Sequence, residues 1–126
     1  MKLEYLASGS QDCPLIRLYQ FTAAEATELF AVIRRLADGS CRVVELHRLP
    51  WVESINGCHL TFVVKSWDQS TLLKAAPGDF ECGFRMSRWD DVAALVERFV
   101  CGCGGYQWLA DSPGEAKLLL SVNGQW

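Results

Sequence analysis

The run from Trp51 to Trp67 constrains the fold more than any other, because Asn56-Gly57 stands between two stretches of strand-forming residues. A type I′ turn needs positive φ at both central positions, and Asn-Gly accepts that at the lowest steric cost. The pattern predicts a β-hairpin across 51–67. Its second arm alternates: Cys58, Leu60, Phe62 and Val64 fall on one face, His59, Thr61, Val63, Lys65 and Trp67 on the other. The first row is apolar and belongs in a core. The second carries an imidazole, an ammonium and an indole.

Two helices frame this stretch. Thr22-Ala-Ala-Glu25 is a capping box, in which the Thr22 hydroxyl takes a free amide of the first turn and Glu25 reaches back to the cap. Ala26, Leu29, Phe30, Ile33, Leu36 and Ala37 recur at helical spacing up to Gly39, which predicts a helix over 23–37. Trp89, Val92, Ala93, Leu95, Val96, Phe99 and Val100 make a second apolar stripe, with Ser87 or Asp90 as its expected cap and Cys101-Gly102-Cys103-Gly104-Gly105 as its stop.

Strands are expected over 3–8, 15–21, 41–49, 80–86, 106–110 and 116–122. Residues 68–79 read as a connection with one helical turn at Leu72-Leu73-Lys74, and Asp111-Ser112-Pro113-Gly114 as a turn. Residues 15–67 and 80–122 then both read strand, helix, strand, strand. The expected fold is one α+β domain over 1–126: a mostly antiparallel, single curved sheet with both helices on one face, built from a duplicated βαββ unit. Its opposite face would carry His59, Lys65, Trp67, Glu81, Arg85, Lys117 and Ser121, with either His47 or Arg48.

Composition narrows the function. Half of the 126 residues are hydrophobic and 21% are charged, which is enough apolar content for a core and too much for a disordered chain. A net charge of -3 argues against a nucleic-acid binder, whose phosphate contacts need a basic surface. Glu4 interrupts any signal-peptide core, and no apolar run is long enough to span a bilayer, so the expected setting is cytoplasmic, with no membrane partner and reduced cysteines.

No phosphate loop, dinucleotide fingerprint or nucleophile elbow occurs. Cys101-x-Cys103, completed from His59, His47 or Cys82, is the alternative metal set. It lacks the second ligand pair of a structural zinc site, and a Gly-rich helix stop explains it as well. Asp90-Asp91 at a helix start has a dipole explanation. Trp89 reads as core, whereas Trp51, Trp67 and Trp126 lie beside turns or chain ends.

The leading expectation is a non-enzymatic protein-binding module of inhibitor, immunity or accessory-subunit type, or a homodimer, with no cofactor. It would act through a sheet face or edge bearing Trp67, His59, Lys65, Arg85 and Trp51. The alternative is a small-ligand or metal-binding domain, an enzyme or a sensor, built on His47, His59, Arg85 and Cys82.

Overall fold

The computed structural model describes residues 1–74, 76–111 and 116–126. Most of the turn expected at 111–114 lies outside the described residues. In chain order the elements are β1 (Lys2–Leu6), β2 (Leu15–Tyr19), α1 (Ala23–Asp38), β3 (Val43–Glu45), a 3₁₀ turn (Leu46–Arg48), β4 (Glu53–Ser54), β5 (His59–Val64), β6 (Ser70–Leu73), β7 (Asp79–Phe84), α2 (Met86–Val100), β8 (Tyr106–Ala110) and β9 (Lys117–Ser121).

The fold is α+β with two helices, but the strands form two mixed sheets in place of one antiparallel sheet. A five-stranded sheet runs β4-β1-β2-β9-β8 and a four-stranded sheet runs β3-β5-β7-β6. Each has a parallel pair at its centre, β2 with β9 and β5 with β7, flanked by antiparallel neighbours. Both sheets therefore draw strands from both halves of the chain.

The Asn56-Gly57 turn forms as expected and the hairpin does not. Both residues have positive φ, 53° and 70°, and the Cys58 amide donates to the Ile55 carbonyl at 3.1 Å to close the turn. The flanking strands then part. β4 pairs with β1 in the larger sheet and β5 with β3 and β7 in the smaller one. Pro50 and the 3₁₀ turn shorten the first arm to two residues, too few to hold a ladder against β5, so the turn passes the chain from one sheet to the other.

Other boundaries move for similar reasons. The strand expected over 41–49 stops at Glu45. The segment expected to connect 68 to 79 contains an edge strand, β6, because its residues pair with β7. The second helix starts at Met86 with Arg85 as its N-cap and no side-chain cap bond, so neither Ser87 nor Asp90 caps it. Helix α1 keeps the expected capping box, with the Glu25 amide donating to Thr22 Oγ1 at 3.2 Å, and ends at Gly39 in the left-handed conformation.

One core joins all the layers. Ile16, Leu18, Leu118 and Leu120 from the larger sheet, Leu60, Phe62, Phe80 and Cys82 from the smaller, and Leu29, Ile33, Trp89 and Val96 from the helices are buried together. The helices pack on each other, and an Arg34–Asp90 ion pair links them at the surface.

The outer faces of the two sheets differ. On the larger sheet Leu15, Tyr19, Leu119 and Ser121 are buried although they point away from the core cluster. The segment after β9 lies over them: the Gly124 carbonyl accepts from Arg17 Nη1 at 2.7 Å, Trp126 packs edge-on to Trp108, and Trp126 Nε1 donates to Asp12 at 3.0 Å. Lys117 and Ser121, expected on the same open face as His59, belong to this covered face instead. No helix among the described residues is long and apolar enough to cross a membrane.

Candidate functional site

The outer face of the smaller sheet has no such cover among the described residues. Register places its side chains in rows. Val43, Val63, Gly83 and Ser70 form one row, its last two members buried; Glu45, Thr61, Glu81 and Leu72 form the next, and His59 and Asp79 a third. Thr61, Val63 and Glu81 in the two central strands are half-exposed, against buried Leu15, Leu119 and Ser121 in the other sheet.

Glu81 holds the centre of this face. Oε1 accepts from Gln69 Nε2 at 3.1 Å and faces Lys65 Nζ at 3.3 Å, and Oε2 accepts from Lys74 Nζ at 3.2 Å. Gly83 permits this clamp, since a Cβ there would lie 2.8 Å from Lys65 Cγ. Burial pushes the Glu81 carboxyl up, but the bonds from Gln69, Lys74 and Lys65 outweigh it and hold the group below the usual carboxylate range.

The sign of the pH dependence follows. A lowered folded-state pKa adds stability above the unfolded-state value, lost as pH falls through the folded one. Glu81→Gln should cost about 1–2 kcal/mol at neutral pH. The gap to wild type should close as acid protonates Glu81. Urea unfolding at neutral pH and near pH ~3 checks this, since reference Glu titrates near ~4.3. A gap that stays constant would mean the carboxylate charge contributes nothing.

At one end of the face a groove of about 460 Å³ opens, lined by Glu45, His47, Arg48, His59, Thr61, Lys74, Asp79, Phe80 and Glu81. The rings of His47 and His59 stack, with centroids 4.1 Å apart and planes 15° off parallel. His47 comes from the 3₁₀ turn, where β3 leaves the sheet. Its Nδ1 accepts from the Leu60 amide at 3.2 Å, taking a ladder bond that β3 no longer supplies. That bond sets the neutral His47 ring as the Nε2–H tautomer. Glu45 pairs with Arg48 at 2.7 Å. The ring nitrogens of His59, the Thr61 hydroxyl and the Asp79 carboxylate have no hydrogen-bond or ion-pair partner among the described residues.

The residues expected to bind a partner are divided by this geometry. His59 lies at the groove. Lys65, Trp67 and Arg85 lie at the far end of β5 and β7, where Arg85 donates to Asp68 at 3.0 Å and holds the Asp68 carboxyl below its ordinary range, and Trp67 is 54% exposed. Trp51 is half-buried near the start of β1, its carbonyl accepting from the Met1 amine at 2.9 Å, away from the other four.

The alternative sites also separate. Cys82 is fully buried on the core face and burial pushes its thiol up to about 12, which removes it from any outer-face chemistry. Cys58 is pushed up to about 12 in the same way. Cys101 and Cys103 are exposed beyond the end of α2, and no three His, Cys, Asp or Glu side chains group as a metal site among the described residues, His59 included.

Sequence reasoning passed over Asp79. Extending the Glu81, Gly83 alternation one step back places Asp79 on their face. Its position beside His59 depends on the parallel β5–β7 pairing, which no local signal announces.

Comparison with protein-family models, with curated proteins and with solved structures finds no match for this chain.

Proposed function

We propose that this chain is a non-enzymatic binding protein that docks another protein on the outer face of its four-stranded sheet. The observation that carries this reading is the contrast between the two outer faces. The chain's own final segment covers one, and the other presents half-exposed Val63 and Leu72 beside charged and imidazole groups. Val43, at 56% exposure on the β3 edge, and Trp67 at the end of the sheet extend its apolar part. Exposed apolar and aromatic groups beside a charge cluster that is already paired, as Glu81 is, give a partner protein anchors without an unpaired carboxylate to bury at the centre. A cytoplasmic inhibitor, antidote or accessory subunit fits this description.

The same reading keeps the duplicated βαββ unit as a proposal. The order β2-α1-β3-β5 is repeated as β7-α2-β8-β9 once β4 is set aside, and the last strand of each unit pairs in parallel with the first of the other.

Native mass spectrometry of the untagged chain, isolated gently from its own cells, tests the docking face. The wild type should carry an added protein-sized mass. Val43→Asp and Trp67→Ala, both at exposed positions where substitutions usually change stability by less than ~0.5 kcal/mol, should each weaken that complex about tenfold or more. Variants that keep the added mass in full, or a wild type that carries none, would overturn the reading.

A further inference from the structure

Resting on that docking reading, we propose that the His47–His59–Asp79 groove is the seat for an arginine side chain of the partner protein. Charge and shape together select this occupant. Of the groove's five charged side chains, Arg48 neutralises Glu45, and Lys74, with Lys65 beyond the groove, neutralises Glu81. Asp79 is left as a half-buried carboxylate with no partner among the described residues. It stands beside His59 in the β5–β7 register, and both line the same groove, so a group bound to Asp79 lies within reach of the imidazole ring.

A guanidinium meets both features. Its planar fork matches a carboxylate with two parallel N–H donors, and its flat face stacks on an aromatic ring. His59 is exposed, with one ring face held against His47, which leaves its far side to solvent. The His47 stack and the Leu60 amide bond hold this ring pair in place before any ligand arrives. The Thr61 hydroxyl supplies an acceptor for a remaining guanidinium N–H. An anionic ligand would meet Asp79 unpaired. A metal ion would find no group of three ligands among the described residues. An ammonium could meet the carboxylate but would leave the ring stack unused.

The test is an NMR titration of the labelled chain with the capped tripeptide Ac-Gly-Arg-Gly-NH₂ and its uncharged isostere with citrulline in place of arginine. The arginine peptide should give saturable shifts at His47, His59 and Asp79. The citrulline peptide should bind at least about tenfold more weakly, and Asp79→Asn and His59→Ala should each weaken the arginine peptide to a similar degree. The Asp79 side chain makes no hydrogen bond or ion pair among the described residues, so Asp79→Asn should keep the wild-type urea midpoint, and His59→Ala gives up only the exposed stack on His47. Equal binding of the two peptides, undiminished binding to Asp79→Asn, or no saturable shift at the groove would overturn the proposal.

Native mass spectrometry on the Asp79→Asn chain separates the two readings. A protein-sized mass that persists on this variant while the arginine peptide gives no saturable shift on the wild type sinks the arginine seat and leaves the docking face. Peptide binding at the groove with no protein-sized mass on the wild type sinks the docking face and leaves a guanidinium site.

Discussion

Trp89→Ala should remove about 3–5 kcal/mol of stability, the largest single loss we expect anywhere in this chain. Trp89 is fully buried on α2 and packs against Phe62 and Phe84, with ring centroids 4.8 and 5.1 Å away. Its Nε1 also donates to the Val63 carbonyl at 3.0 Å, so the indole joins the helix layer to a central strand of the smaller sheet by packing and by a hydrogen bond. Alanine loses both and leaves a cavity between α2 and β5. Trp89→Phe separates the parts: it keeps most of the apolar contact, removes the indole's bond to a carbonyl that also faces the β5–β7 ladder, and should cost about 0.5–1.5 kcal/mol for that bond. Urea or thermal unfolding of both variants checks the pair. If the phenylalanine variant loses as much as the alanine one, the bond matters more than the packing. A domain with ~5–15 kcal/mol in total could lose much of its margin to the alanine change.

The second large effect is on the other sheet. Arg17 Nε and Nη2 donate to Glu4 Oε1 at 2.8 and 2.5 Å, its Nη1 reaches the Gly124 carbonyl, and the guanidinium lies 4.0 Å over the Tyr19 ring. Both charged side chains are less than a quarter exposed. Arg17→Met would leave the half-buried Glu4 carboxylate without its cation, with the Tyr19 phenol as its remaining donor, which should cost about 2–4 kcal/mol, somewhat below the value for a fully buried pair. Adding Glu4→Gln should recover at least half of that loss, and a double-mutant cycle measures the coupling directly. Burial already lifts the Tyr19 phenol above its ordinary value, Glu4 adds to this and Arg17 opposes it. Arg17→Met should therefore raise the Tyr19 ionisation further, read from phenolate absorbance. A Tyr19 titration unchanged in the variant would show that the guanidinium has little electrostatic hold on the ring.

Local signals in the sequence carried the elements whose causes are local. The Thr22–Glu25 box, the stop at Gly39, the α2 stripe with Trp89 inside it, and the inward row Leu60, Phe62 and Val64 all follow from spacing along a few turns or one strand. The Asn56-Gly57 turn was legible as a turn because positive φ is a property of two residues. What its arms pair with is decided by strands far away in the chain, and the hairpin was misread for that reason. The same holds at the groove. His59 and Glu81 could be placed on an open face by alternation. The stacking of His47 on His59 needed β3 to end at Glu45, and the meeting of His59 with Asp79 needed a parallel partner. Trp51 and Trp67 both lie beside turns or chain ends in the sequence, but the departure of β4 into the larger sheet sets them apart in the fold.

The pairing of Leu15 with Lys117 has a consequence during synthesis. A nascent chain emerges from the ribosome with β2 well ahead of its neighbour β9. Until residues 117–121 appear, β2 is an open edge flanked only by β1, which is the kind of edge that captures strands from other chains. The smaller sheet closes sooner, through β5 and β7, yet the core it shares with the larger sheet stays unfinished. Closure of the larger sheet is therefore a long-range event, which makes it slow and dependent on the chain having been made as far as residue 121.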